Sequence, residues 1–416
     1  MTRATAAVTS TDRRNGTLVL VLGGLTAVGP LSGDTYLPAL PTISTDLGVG
    51  HVAVQLTLTA SFVGLGLGQL LAGPFSDRYG RRRLLLLGTA VYVIASLGCT
   101  LAPSIDALIG CRFAQGLGGA VGIVVSRAVV RDVYAGAAAV AFFSRLLLVF
   151  GVAPIVAPLL GVGLLHLGGW RVIFAVLSAF GAALFVAVAW TVPETLPPER
   201  RSTGGVRTTI ATARTMLTSR VFLGYALACG LAFSGLFSYL GTFPFIVQEV
   251  HGQPALVYGA LFALNAAGLA VATQVNARLA RRVATRTLLG AGLGTYTAGA
   301  LTALLLVTLD PPGGGGPGLA GLGAALFVVI ASLGCILPNA MALAMERFPA
   351  AAGTASALLG GLQFLLGAVI APLVGLGGRG TAVPLGISLA ILGPSALLAF
   401  AAAGSRRDRP RSLRSG

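Results

Sequence analysis

The chain has 416 residues, of which 55% are hydrophobic and only 10% are charged. A soluble domain carries about 25% charged residues, so this composition excludes a soluble globular protein and indicates an integral membrane protein with many spans. The net charge of +16 would suggest nucleic acid as the partner of a soluble protein. Here the 28 basic residues, all of them arginine, are better explained by membrane topology, so we expect a lipid bilayer and no nucleic acid as partner.

Apolar runs long enough to cross a bilayer core of about 30 Å occur twelve times along the chain. The sequence therefore predicts an all-α membrane protein with twelve transmembrane helices. No cleavable signal peptide is expected, because the first apolar run is too long for one. The predicted spans cover about residues 17–40, 52–75, 84–103, 106–127, 141–165, 170–192, 221–245, 255–277, 287–308, 319–344, 352–376 and 382–404.

The arginines fall almost entirely on one side of this predicted topology. The N-terminal tail, the loops after the even-numbered spans and the C-terminal tail contain 25 of the 28. The three exceptions are Arg112, Arg171 and Arg379. Short loops that are rich in arginine stay on the cytoplasmic side of a membrane. Both termini are therefore predicted to be cytoplasmic.

The longest internal polar segment divides the predicted spans into six and six. Shifting the sequence by 200 positions places the loop 77–82 over 277–282, where the arginines are kept and the Asp and Gly are not. This repeat predicts two six-helix bundles related by a pseudo-two-fold axis along the membrane normal. The predicted units are an N-terminal bundle, a cytoplasmic linker, a C-terminal bundle and a basic cytoplasmic tail, at residues 1–192, 193–220, 221–404 and 405–416.

Several glycine-rich segments are superficially similar to nucleotide-binding loops. Segment 310–318 lacks the Lys-Ser/Thr of a P-loop, and the glycines of spans 2 and 4 follow no strand and predict close helix packing instead. The four cysteines and three histidines show no metal-ligand spacing, and neither HExxH nor GxSxG is present. We therefore expect no metal, no cofactor and no catalytic residues, which disfavours an enzyme.

Two charged residues lie well inside predicted spans, Asp34 in span 1 and Arg112 in span 4. Each lies about seven residues, or ~10 Å, from the same end of the bundle, so the two can share one layer of the membrane. Charged groups inside a membrane are costly and usually functional. The two could form a structural ion pair. Alternatively, Asp34 could exchange a proton or contact the substrate, with Arg112 adjusting its pKa.

Span 5 contains the pattern Gly151-x-x-Pro154-x-x-x-Pro158-x-x-Gly161, whose prolines kink a helix and whose small residues let a neighbour approach closely. The aromatic residues of span 7 suit an apolar or aromatic ligand, although packing against lipid explains any single ring equally well. Polar residues within spans could line a cavity or form interhelical hydrogen bonds. The candidate substrate-binding residues are Tyr36, Gln55, Phe233, Phe237, Tyr239, Asn265, Asn339 and Gln363.

Several motifs resemble those of a known family. The loop Gly73-Pro-Phe-Ser-Asp77-Arg78-Tyr-Gly80-Arg81-Arg82 is similar to the loop 2–3 signature of the major facilitator superfamily, and Arg112-Phe-Ala-Gln115-Gly116 to its helix 4 motif. The span 5 pattern resembles the helix 5 antiporter motif of the drug exporters, but has Ala153 in place of the usual glycine. Further segments resemble the Bcr/CflA drug-resistance transporters: Asp34-Thr-Tyr-Leu-Pro38-Ala-Leu-Pro41, Gln55-Leu-Thr-Leu-Thr, Arg127-x-x-x-Arg131-Asp132 and Ala355-Ser-Ala-Leu-Leu-Gly.

The resemblance implies proton-coupled export of small apolar drugs such as bicyclomycin, chloramphenicol or florfenicol, by alternating access across the bacterial inner membrane. It assigns proton coupling to Asp34 and Arg112. We also expect the protein to be a monomer. An exporter of an endogenous metabolite or self-made antibiotic and an uncoupled facilitator remain alternatives. The resemblance assigns the conformational gate to Gly73, Asp77, Arg78, Gly80, Arg81 and Arg82.

Overall fold

The computed structural model describes residues 2–134, 136–201, 213–309, 318–346, 348, 352–376 and 381–404. Within these ranges, eleven helices are long and apolar enough to span a membrane, and Val152–Gly168 adds a shorter apolar helix. The predicted all-α fold with twelve membrane helices is confirmed. The helices are α1 (Thr2–Asp34), α2 (His51–Tyr79), α3 (Arg81–Leu101), α4 (Ile105–Val133), α5 (Gly136–Gly168), α6 (Trp170–Thr191), α7 (Arg220–Phe245), α8 (Ala255–Leu279), α9 (Thr285–Leu309), α10 (Gly318–Glu346), α11 (Ala352–Gly375) and α12 (Val383–Gly404).

The first span is broken where the sequence predicted one continuous helix over 17–40. α1 ends at Asp34, a turn follows, and the chain continues as a 3₁₀ turn and a short helix, Leu40–Asp46. Two prolines explain the break. Pro38 lacks the N–H that would bond to the carbonyl of Asp34, and its ring would collide with that carbonyl. Pro41 repeats the effect one turn later, so the Asp34 carboxylate lies at a helix end.

The helix contacts repeat along the chain with a shift of six helices. α1 packs on α5, α2 on α4, and α3 on α4 and α6; in the second half α7 packs on α11, α8 on α10, and α9 on α10 and α12. Between the halves, α2 packs on α11 and α5 packs on α8. These two contacts are equivalent, because a shift of six helices turns the first pair into the second. This is the arrangement of two related six-helix bundles.

The domain boundaries at residues 192, 220 and 404 stay predictions. Three of the segments discussed above lie wholly or partly outside the described residues: the central part of the linker (202–212), most of the glycine-rich connector (310–317) and the basic tail (405–416).

Glycines bring α2 and α4 into backbone contact, as the sequence predicted. A Cβ on Gly64 would overlap the carbonyl oxygen of Phe113, and a Cβ on Gly116 would overlap that of Ser61. No other residue allows helices to approach this closely. The contact fixes α4, and with it Arg112, against α2.

Polar contacts join the two bundles at the face opposite the arginine-rich loops. Gln55 Nε2 donates to the carbonyl oxygen of Gly241 (2.9 Å), and Gln248 Nε2 donates to that of Pro38 (3.1 Å). His51 Nε2 lies 3.0 Å from Glu249 Oε2. The bundles are therefore held together at this face.

Candidate functional site

The Asp34 carboxylate faces the opposite bundle. Its side chain is partly exposed, and among the described residues no group donates a hydrogen bond to it or forms an ion pair with it. The 3₁₀ turn Leu37–Ala39, which follows Asp34 in the chain, contacts α7 and α8 of the opposite bundle, the helices that carry Tyr239 and Tyr258. Asp34 therefore lies at the seam between the bundles, and the ion pair with Arg112 that the sequence allowed is not formed.

Arg112 lies inside the N-terminal bundle and is completely buried. Its Nη1 donates to the carbonyl oxygen of Ser32 (3.0 Å) and to Gln115 Oε1, and Gln115 Nε2 donates to Ser96 Oγ (2.8 Å). Its Nε and Nη2 have no hydrogen-bond partner in the described part of the chain. A buried guanidinium without a carboxylate is costly, and the two acceptors offset only part of that cost. Through Ser32, Arg112 holds the last turn of α1 before Asp34.

Tyr36 packs against Arg112. The guanidinium carbon of Arg112 lies 4.1 Å from the centre of the Tyr36 ring and 5.6 Å from that of Phe174, which are cation–π contacts. The Tyr36 hydroxyl lies 3.2 Å from Thr57 Oγ1, and the side chain is fully buried. The geometry favours a structural role for Tyr36 over substrate contact.

The helix 5 motif packs directly on the break after α1. A Cβ on Gly161 would overlap the carbonyl oxygen of Thr35 and would lie 3.4 Å from Pro38. On the other side of α5, the side chains of Leu159 and Val162 pack on Gly259 of α8. Pro154 and Pro158 lie inside α5, whereas Gly151 falls outside the residues whose surroundings are described. α5 therefore connects the Asp34 segment with the opposite bundle.

Four phenylalanines from both bundles meet at the seam. Phe62 on α2 lies 4.2 Å from Phe237 on α7, measured between ring centres. Phe233 lies 5.2 Å from Phe237, and Phe364 on α11 lies 5.9 Å from it. The sequence identified Phe233 and Phe237 but missed Phe62 and Phe364, because single phenylalanines in apolar runs carry no local signal.

A second aromatic group lies near Asp34. The rings of Phe243 and Phe262 lie 4.7 Å and 5.8 Å from that of Tyr239, and Tyr258 contacts both phenylalanines. Asn265 Nδ2 donates to the Tyr239 hydroxyl (2.9 Å). The structure thus brings the predicted residues Tyr239 and Asn265 together. Tyr258, which the sequence did not single out, joins them.

The remaining polar candidates form hydrogen bonds between helices. Asn339 Nδ2 donates to Asn276 Oδ1 (2.7 Å), and Gln363 Nε2 donates to Cys229 Sγ (2.8 Å), both within the C-terminal bundle. Gln55 joins the bundles through Gly241 at the face opposite the arginine-rich loops. For Asn339 and Gln363 the geometry favours the interhelical alternative over a cavity wall, whereas Gln55 also lines a small cavity together with His51 and Glu249.

The predicted gate is organised around Arg81, which is 5% exposed. Its guanidinium lies 2.6 Å from Asp77 Oδ1 and 3.0 Å from Asp132 Oδ2 at the end of α4. Its backbone N–H donates to Glu194 Oε1 (2.8 Å). Gly80 has φ +96°, and a Cβ there would overlap the Glu194 carboxylate, so only glycine fits. The sequence placed Glu194 in a linker and missed this contact.

The other gate residues surround this centre. Arg82 Nη2 donates to the carbonyl oxygen of Ala189 (2.6 Å), Arg78 is exposed beside Tyr79, and Gly73 has open space around it. In the repeated loop of the C-terminal bundle, the matching side chains are exposed: Arg278, Arg281 and Arg282. In the described part of the chain, no group of three His, Cys, Asp or Glu side chains could hold a metal ion.

A family model described as Major Facilitator Superfamily matches residues 22–372. The chain belongs to this superfamily. Among its relatives is YdgK of Bacillus subtilis (strain 168), an uncharacterized MFS-type transporter that is 38% identical, with 94% of this chain and 96% of YdgK covered. A bicyclomycin resistance protein homolog of Haemophilus influenzae (strain ATCC 51907) is 32% identical over 94% of this chain and 97% of that protein. The expected Bcr/CflA membership of this major facilitator is confirmed.

The fold of this major facilitator is also found in solved transporters. The nucleoside transporter NupG covers 93% of this chain and 98% of its own with a TM-score of 0.73, at 11% sequence identity. At that identity the likeness shows the fold alone. Membership of the superfamily identifies the chain as a multi-pass membrane transporter.

Proposed function

We propose that this transporter exports neutral, drug-like molecules across the bacterial inner membrane in exchange for protons. The observation that carries the proposal is the position of Asp34. Its carboxylate lies at a helix end, without an ion-pair partner in the described part of the chain, and the turn that follows it contacts α7 and α8 of the opposite bundle.

An unpaired carboxylate in a membrane protein costs several kcal/mol, and protonation removes this cost. A seam that opens to the outside would let a proton reach Asp34. A seam that opens to the cytoplasm would let the proton leave as drug binds. Because a neutral drug needs no charged partner, drug and proton would compete through the charge state of Asp34 and not by direct pairing.

The surfaces around Asp34 fit a small apolar ligand. The two aromatic groups supply apolar area, and Asn265 with the Tyr239 hydroxyl supplies a few polar contacts, the usual composition of a ligand site. The Haemophilus influenzae relative is named for bicyclomycin resistance. The proposed substrates are neutral drugs such as bicyclomycin, chloramphenicol or florfenicol.

The proposal includes a monomer with both termini in the cytoplasm. With that orientation, the joined face of the bundles is the external one, and this conformation is closed to the outside. Asp34, the acid inside span 1, is then accessible to protons and drug from the cytoplasmic side, where drug is collected.

The test is Asp34→Asn, which fixes the site without charge. We expect purified Asp34→Asn protein to bind drug at close to the wild-type affinity. Proteoliposomes that contain it should fail to accumulate drug under an imposed pH gradient, and drug should release no proton from it. Asp46→Asn is the control, because Asp46 is an exposed acid paired with Arg171 at a span end. If Asp34→Asn retains both transport and proton release, Asp34 is not the coupling acid.

A further inference from the structure

The Tyr258 hydroxyl is a buried polar group without a partner in the part of the chain that the structure describes. The side chain is fully buried on α8, and its oxygen has no hydrogen bond to any described residue. Its ring packs between Phe243 (5.8 Å) and Phe262 (5.9 Å), so the ring is held and the hydroxyl is fixed in place. Buried tyrosines normally find a hydrogen-bond partner, and an unpaired one is unfavourable. The hydroxyl is therefore free to donate to an acceptor on a neighbouring segment.

The Asp34 carboxylate is the acceptor that best suits this hydroxyl. The 3₁₀ turn Leu37–Ala39, just after Asp34, contacts both α7 and α8. α5 links the same two regions, since Gly161 packs on Thr35 and Val162 packs on Gly259, the neighbour of Tyr258. The carboxylate also interacts electrostatically with Tyr258, and it lacks any donor of its own among the described residues.

Two other polar groups around Asp34 each make hydrogen bonds to described residues. Tyr239 on α7 receives a hydrogen bond from Asn265, and Arg112 on α4 donates to the Ser32 carbonyl and to Gln115. Tyr239 keeps its own O–H free to donate, and Arg112 keeps Nε and Nη2 free, but each makes a hydrogen bond. Of the tyrosine hydroxyls on α7 and α8, that of Tyr258 is the one that makes no hydrogen bond to a described residue.

We propose that the Tyr258 hydroxyl is the cross-bundle hydrogen-bond donor to the Asp34 carboxylate, and that it positions and stabilises the charged form. The bond joins α1 of one bundle to α8 of the other. The charge state of Asp34 then controls how closely these helices approach, because a protonated carboxyl accepts this bond more weakly. The inference deepens the proposed function, in which Asp34 is the proton-carrying group.

The experiment measures the charge of Asp34 directly and needs neither drug nor transport. Infrared difference spectra of the full-length protein in lipid are recorded against pH, and the carboxylic C=O band that Asp34→Asn abolishes is assigned to Asp34. In Tyr258→Phe, we expect the midpoint of this band to move about one pH unit upward, because the anion loses a hydrogen bond worth about 1.5 kcal/mol. The position of the band should also change.

Tyr296→Phe is the matched control. Tyr296 is equally buried in the C-terminal bundle, and its hydroxyl also lacks a partner among the described residues, but it packs on Gly235. Its substitution should leave the midpoint unchanged.

An unchanged midpoint in Tyr258→Phe, or equal shifts in both variants, would overturn the inference. If no band responds to pH, Asp34 does not titrate and both proposals fail. A normal midpoint in Tyr258→Phe with intact drug-driven proton release would remove only the role of Tyr258.

Discussion

The imidazole of His51 and the carboxylate of Glu249 lie 3.0 Å apart across the seam between the bundles. His51 begins α2, and Glu249 lies in the turn Ile246–Val250 that follows α7. The His51 ring also stacks on Phe245 at 4.0 Å. Together with the bond from Gln55 to Gly241, this pair joins the bundles at the face opposite the arginine-rich loops.

Replacing Glu249 with Gln should favour opening at that face. The pair is partly exposed, so its loss should cost no more than about 1 kcal/mol, or roughly a fivefold change in the ratio of closed to open protein. Spin labels at the exposed positions Thr42 and Gln253 would report the change as a longer distance. His51→Asn should lengthen the distance in the same direction, and the double variant should lengthen it by less than the sum of the two single shifts, because both remove the same pair. Identical distance distributions in wild type and Glu249→Gln would refute the closing role of the pair.

Asp77→Asn should lower transport by roughly tenfold while the protein level stays normal. It removes one of the two carboxylates on Arg81, which alters the balance between conformations and leaves the core intact. Drug uptake into inverted vesicles is the measurement. Arg278→Ala and Arg281→Ala are the matched changes in the other bundle, where the side chains are exposed, and each should have a smaller effect. Equal losses from the two loops would count against a one-sided gate.

Gly161→Ala should impair transport severely, because its Cβ would overlap the carbonyl oxygen of Thr35 and push α5 away from the Asp34 segment. Gly163, two residues further along the same helix, has open space around it, so Gly163→Ala provides a control with the same chemical change. Uptake and thermal stability should both be measured for the pair. A wild-type uptake rate in Gly161→Ala would show that the close contact is not needed.

The distribution of the arginines predicts the orientation of the protein in the membrane. Reporter enzymes fused after residues 80, 205, 282 and 410 should all report the cytoplasm, and a reporter near residue 313 should report the outside. A single reporter on the wrong side would contradict the twelve-span topology, because the number of spans between two fusion sites decides whether they share a side.

The sequence alone determined the properties that depend on neighbouring residues. A helix that crosses a membrane needs about 20 apolar residues in a row, so the number of spans could be read directly. A charge inside such a run is equally visible, which is why Asp34 and Arg112 were identified without a structure. The motif around Arg81 was recognised for the same reason, since its residues are consecutive.

Only the tertiary structure decided which of these groups meet. The sequence placed Asp34 and Arg112 at one depth and so allowed an ion pair, but depth does not fix the rotation of a helix about its axis. Packing through Gly64 and Gly116 fixes α4 so that Arg112 donates to Ser32 and Gln115 inside its bundle.

The same limit explains the residues that sequence reasoning missed. Tyr258, Phe62, Phe364 and Glu194 acquire their roles from partners far away in the chain, and a single side chain in an apolar run or a linker gives no local sign of its partner. Hydropathy and charge act on each segment against the surrounding lipid and water. Contacts between segments follow from helix rotation, glycine-mediated approach and proline breaks, and these are set only when all twelve helices pack together.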